Sequence, residues 1–185
     1  MKNLNALLAG IFLSIAMPFA TLVIPSQLQL GSLGRAPAED GGPLFPPLEP
    51  GLAIQGRSVY LSLGCVTCHT QQVRPAGQGS DLARGYGVRA SVARDYYQQN
   101  PVLLGERRLG PDLANYGART SQVDLEALLR DPASSGVSWH PSYAYLYSLS
   151  ADGQRMVPTE RAVALVAYLK SLRQDYSSPE AKLKQ

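Results

Sequence analysis

Two cysteines, the only ones in 185 residues, stand three positions apart with a histidine directly after the second: Cys65-Val66-Thr67-Cys68-His69. A disulfide at that spacing would close almost no loop and would constrain the unfolded chain very little. The thiols therefore read as a redox or cofactor pair. A dithiol redox pair wants a βαβ setting, which the surrounding pattern lacks. A tetrahedral zinc site could draw on the two Cys and two His that the chain owns, but Cys68 and His69 are adjacent and His140 lies 71 residues further on, which is not the spacing of a zinc module. The remaining chemistry is attachment of one c-type haem: thiols at i and i+3 reach its two vinyl groups, and the next histidine offers a ring nitrogen to the iron.

The iron's opposite face can be treated by elimination. The usual second ligands are His and Met. Met1 starts the chain and Met17 sits in an apolar run, which leaves His140 and Met156. Met156 comes three residues before the cap of the last expected helix and has little chain to cross a haem edge, whereas His140 lies in mid-loop, in Ser138-Trp139-His140-Pro141. His140 is the expected second metal ligand beside His69, with Met156 as the alternative; an open sixth position, with His140 a plain loop histidine, remains a further reading. A ligand histidine also needs its other nitrogen fixed by an acceptor. Gly110-Pro111-Asp112-Leu113 offers backbone carbonyls for this, although the same residues would make an ordinary turn. Between Arg57 and Arg130 there are nine arginines, no lysine and six acids. Planar guanidinium groups suit carboxylates such as haem propionates. Arg74, Arg107 and Arg108 are the candidates for those contacts, the rest reading as solvated surface.

Helices must position these groups. Leu52, Gly56, Val59, Tyr60 and Leu63 fall on one helical face, and Gly64 ends that run just before Cys65. A last helix is expected over about 160–173, capped by Thr159, with a stripe of Val163, Val166, Leu169 and Lys170; Gly56 would let the two helices approach closely. Shorter helices are expected over 91–99 and 123–130, the latter with Ser121 and Asp124 in a capping-box spacing. The intervening loops, 100–120 and 132–158, are long and rich in Gly, Pro and Tyr, and loops of that length are usually functional. No strand alternation is visible. At the start, Leu4 to Ile24 is an uncharged run of 21 residues, long enough to span a bilayer. It reads as a retained anchor or a signal, and Pro18-Phe19 ahead of Ala20 fits signal cleavage poorly. The expected organisation is an anchor over 1–25, a Pro/Gly-rich linker over 26–50, an all-α haem domain with long loops over 51–176, and a tail over 177–185. A net charge of only +3 sets nucleic acid aside as a partner.

The domain resembles the class I cytochromes c, in which the carbonyl of the Pro in such a Gly-Pro segment accepts the hydrogen bond of the ligand His; here that residue is Pro111. More specifically, Gly56-Arg57-Ser58-Val59-Tyr60, Gly64 to Gln71, Arg74-Pro75, Tyr86-Gly87, Gly105 to Ala114, Gly117 and Pro141-Ser142-Tyr143 resemble the monohaem subunit of cbb(3)-type cytochrome c oxidases. The resemblance implies a single-pass protein of the bacterial inner membrane with its haem domain in the periplasm. It implies electron transfer without catalysis of its own, from another cytochrome c to a haem-copper catalytic subunit. One departure matters: where that family has Met followed by Pro as second ligand, this chain has His140-Pro141. A His/His haem has a lower potential than a His/Met one. The competing function is a haem enzyme or gas sensor with an open or displaceable sixth position lined by Tyr143, Tyr145 and Tyr147, for which no distal acid-base motif is visible.

Overall fold

The computed structural model describes residues 2–37, 41–119 and 124–182. Helix α1 (Lys2–Pro18) runs through a π turn (Phe19–Val23) into α2 (Ile24–Leu30). Pro18 lacks a backbone N–H and crowds the preceding turn, and the widened turn follows it directly. Ser14, Thr21 and Ser26 donate to the carbonyls of Ile11, Met17 and Leu22 at 2.8, 2.8 and 2.6 Å, so their hydroxyls are satisfied within the helix. Asn3–Leu30 is 28 residues long, apolar and unpacked against the rest of the chain. At 1.5 Å per residue that is about 42 Å, more than the roughly 30 Å of hydrocarbon it would have to cross.

The proline-rich stretch that follows carries a short ribbon among its described residues. Strands β1 (Ala36–Pro37) and β2 (Leu44–Phe45) pair antiparallel, Ala36 opposite Phe45. Arg35 ties the ribbon by donating to the carbonyls of Pro46 (2.8 Å) and Leu44 (3.0 Å).

The core is built on two helices, α3 (Gly51–Ser62) and α5 (Glu160–Ser171). Thr159 caps α5, its hydroxyl accepting from the Ala162 N–H, and Glu160 and Lys170 complement the helix dipole at its two ends. The helices meet backbone to backbone: a Cβ on Gly56 would lie 2.5 Å from the carbonyl carbon of Ala164 and 2.7 Å from Cβ of Tyr168. This close crossing decides which faces are inside. Ala53 is buried and Leu52 is exposed on α3; Ala162, Leu165 and Leu169 are buried and Val163 is exposed on α5. Gly56, Tyr60, Val166 and Leu169 of the expected stripes are buried, while Leu52 and Val163 turn outward, because an interface this tight takes Ala53 and Ala162 where larger apolar residues would hold the helices apart. Tyr60 and Tyr168 pack edge to face at 5.5 Å, and the Tyr168 hydroxyl is satisfied by the Gln71 amide.

Three further elements depart from the sequence expectation. Residues 91–99 contain only a 3₁₀ turn (Ala93–Tyr96), because the Asp95 carboxylate turns back onto the Val92 N–H and the Arg89 guanidinium, each at 2.8 Å. Helix α4 (Leu125–Arg130) starts after Asp124, whose carboxylate caps it; Ser121 and Val123 lie outside the described residues. The loop after residue 146 forms a hairpin of β3 (Tyr147–Leu149) and β4 (Met156–Pro158), too short for alternation to reveal. Helix α6 (Pro179–Lys182) closes the described chain.

Candidate functional site

The cysteine pair leaves α3 through one sharp turn. Gly64 takes a left-handed φ of +71°, which ends the helix at low cost for a residue without Cβ and starts a 3₁₀ turn over Cys65–Thr67. The N–H groups of Cys68 and His69 both point to the Cys65 carbonyl, at 3.2 and 2.9 Å, so the motif is one compact local unit. Both thiols are free and partly buried. Burial pushes the Cys65 thiol pKa up. The Tyr143 hydroxyl lies 3.9 Å from its sulfur.

His69 is held from a second segment. Its Nδ1 is 2.8 Å from the Pro111 carbonyl, which can only accept, so Nδ1 carries the proton and Nε2 has its lone pair free. The loop bearing Pro111 is laced to the motif: Arg107 N–H to Thr67 at 3.2 Å, Gly110 N–H to Cys68 at 3.0 Å, and Leu113 N–H to Thr70 at 2.8 Å. Leu113 itself is buried in the core. Two glycines permit this embrace. A Cβ on Gly105 would strike the His69 carbonyl, and one on Gly110 would lie 2.7 Å from Nε2 of the ring and closer still to Cε1. Burial lowers the His69 pKa, the Pro111 acceptor opposes that shift, and His140 and Arg119 add to it. Next to Pro111, the buried Asp112 carboxylate accepts from the N–H groups of Gln72 (2.8 Å) and Ala114 (2.9 Å) while burial raises its pKa.

His140 arrives from the other side. Its loop hangs on α4 through the Tyr143 N–H to Leu129 (2.7 Å) and the Ser142 hydroxyl to Arg130 (2.8 Å). The ring centre lies 6.1 Å from that of His69, with the planes at 50°. Its Nδ1 is 2.9 Å from the Pro141 carbonyl, which again leaves Nε2 free. Trp139 and Tyr143 flank the ring at 6.3 and 6.0 Å, both edge on, and Tyr145 continues the aromatic row at 6.2 Å from Tyr143. Met156 sits in β4, paired with Leu149 and 40% exposed.

Two of the expected arginines converge on one carboxylate. Arg74 makes a bidentate pair with Asp81 at 2.9 and 2.8 Å, and Arg108 donates to the same carboxylate at 3.1 Å and to Gln72 Oε1 at 3.2 Å. A buried acid with two guanidiniums in reach draws both, and Arg107 is exposed. Arg119 is the one that sequence reasoning passed over. It lies over the Tyr86 ring at 4.6 Å and donates to the carbonyls of Tyr86 and Asp112, yet among the described residues its buried Nε has no partner. Burial lowers its pKa. Sequence order carries no signal of which arginine points inward.

A helical domain behind an apolar helix long enough to cross a membrane, with two free thiols and two imidazoles gathered on one side, has the make-up of a membrane-attached haem protein. The profile of the family described as cytochrome c oxidase, mono-heme subunit/FixO matches residues 44–166, and the chain belongs to that family. The match covers every candidate residue above. No curated relative matches the chain. Membership makes it a mono-haem electron-transfer subunit of a respiratory cytochrome c oxidase.

Proposed function

We propose that the chain is the membrane-anchored relay of its oxidase: a class I cytochrome c-like domain over 51–176, holding one haem c through Cys65 and Cys68, with His69 and His140 as the two iron ligands. The observation that carries this reading is the pair of imidazoles. Two imidazoles bound to one metal through Nε2, with bonds of about 2 Å, hold their ring centres about 6 Å apart. The rings of His69 and His140 are 6.1 Å apart and each has its Nδ1 on a proline carbonyl. Such carbonyl acceptors fix the tautomer and increase ligand basicity. Among the described residues no three His, Cys, Asp or Glu side chains converge as a bare metal ion would need. Arg119 fits a carboxylate, its Nε being the unused donor of a partly buried guanidinium.

The bound haem would supply one-electron exchange. The protein's own residues then orient and insulate it: Pro111 and Pro141 set the imidazoles, Trp139 and Tyr143 hold the His140 ring edge on, and α3 and α5 back the motif. The electrons come from another cytochrome c and go to the haem-copper catalytic subunit, with α1 and α2 spanning the bacterial inner membrane and the domain on the periplasmic side. Two imidazoles predict a lower potential than a His/Met pair. The test is the absorption and low-temperature magnetic resonance spectrum of the holoprotein beside His140→Met. The wild type should be low-spin without a methionine-to-iron charge-transfer band, and the variant should gain that band and a higher potential. A methionine band in the wild type would move the ligand to Met156; a high-spin wild type would replace the relay with a ligand-binding haem.

A further inference from the structure

The described residues of the stretch 31–50, between the end of α2 and the start of α3, meet Arg94 and the C-terminal segment. Arg94 reaches in both directions: its Nε donates to Glu180 at 2.9 Å, and its guanidinium also donates to the carbonyl of Gly34, four residues beyond α2. Phe45 lies flat on Tyr176, ring centres 4.3 Å apart and planes at 11°. Tyr176 in turn lies under Arg89 at 4.7 Å, accepts Arg89 Nε at its carbonyl (3.0 Å) and donates its hydroxyl to Asp95. Pro46 is buried, and residues 46–50 wall one side of a cavity of about 250 Å³ whose other side includes Gln71, Asp95 and Gln174. The C-terminal segment is pinned to the body by Gln174, whose N–H donates to Asn115 at 2.7 Å and whose side chain accepts from Ser91 at 2.6 Å.

We infer that Tyr176–Glu180, with Arg94, is a clasp that holds the membrane-proximal linker on the haem domain, so that the domain works at a fixed station over its membrane partner. The alternative is a tether. Freed, the 20 residues from 31 to 50 could extend to about 70 Å, and the local concentration of the domain at its partner would fall accordingly. A stacked aromatic pair and a partly buried ion pair that shares its arginine with a linker carbonyl act at two separate points, which resists rotation as well as extension. The role in electron delivery rests on the proposed relay function, but the clasp itself does not.

The test uses the full chain in its oxidase complex in membranes, comparing the wild type with Arg94→Gln/Glu180→Gln and, separately, Phe45→Ala. Trypsin cleavage after Arg35 reads the clasp with no reference to haem. The wild type should be cut at least about tenfold more slowly than either variant, and electron arrival at the catalytic subunit should slow in both variants while the haem spectrum is unchanged. Equal cleavage of wild type and both variants would overturn the clasp. Faster cleavage with unaltered electron arrival would overturn the fixed station, and a wild-type spectrum without low-spin haem would instead count against the relay reading.

Discussion

Replacing Gly110 by alanine tests the seat of His69 directly. The added Cβ would lie 2.5 Å from Nδ1 and 2.7 Å from Nε2 of the ring, where apolar contact settles at about 3.5–4.0 Å. About 1 Å of movement is required. If the ring moves, Nδ1 leaves the Pro111 carbonyl, now 2.8 Å away, and passes beyond hydrogen-bond range. If the loop moves instead, Pro111 moves with its neighbour and the 3.0 Å bond from Gly110 N–H to Cys68 is lost as well. Overpacking of a filled site costs about 1–3 kcal/mol and a lost hydrogen bond about 0.5–1.5 kcal/mol. Together these give roughly 2–4 kcal/mol, or about 5–15 °C in Tm for a chain of this size. Thermal unfolding of the holoprotein by circular dichroism measures this loss, and redox titration adds a second reading. Without its carbonyl acceptor the imidazole is a weaker base, so the potential should rise. A variant with Tm within about 1 °C of wild type and an unshifted potential would refute the packing described for this ring.

Two further predictions concern the scaffold. Gly56→Ala places a Cβ 2.5 Å from a backbone carbon of α5, which cannot rotate away; a loss of about 2–4 kcal/mol is expected in urea unfolding, and one below about 0.5 kcal/mol would mean that the helices do not cross there. The Asp81 carboxyl is held down to about 2 from an ordinary 3.8, first by its hydrogen bonds from Arg74, against burial, and further by Arg108. A depressed carboxylate stabilises the fold above its unfolded pKa and loses that contribution as pH falls towards its folded pKa, here between about pH 4 and 2, amounting to about 2 kcal/mol. Asp81→Asn should lose that amount at pH 7 and show a shallower acid limb over the same window; an unchanged limb would show that the two arginines do not share the carboxylate.

The parts legible in the sequence are those set by neighbours or by scarcity. Three rare residues within five single out the motif, and Thr159 announces a helix start and Gly56 a close crossing, both found where expected, whereas α4 starts after Asp124, which the capping-box spacing puts inside it. Scarcity and its mid-loop position singled out His140, and the structure sets its ring beside that of His69. What was hidden depends on partners far away in the chain. The outward turn of Leu52 and Val163 follows from a backbone contact between α3 and α5, the engagement of Arg74 and Arg108 follows from one buried carboxylate, and the seating of the linker follows from Phe45 meeting Tyr176. Composition reads the segment from 26 to 50 as a spacer because proline-rich stretches carry no periodicity, whether they are solvated or docked.

The two imidazoles are reached on different schedules. The thiols and His69 are arranged by hydrogen bonds spanning three and four residues, from Cys68 and His69 to Cys65, whereas Pro111 is 42 residues from His69 and His140 is 71. Short loops close in tens of nanoseconds, and distant pairings wait for chain entropy to be overcome. A newly made chain can therefore present both sulfurs and one ring nitrogen on a formed turn while the loop over 105–113 and the His140 loop are still open. If the chain takes a haem as proposed, its attachment could precede folding, with Pro111 and His140 arriving later to close the site.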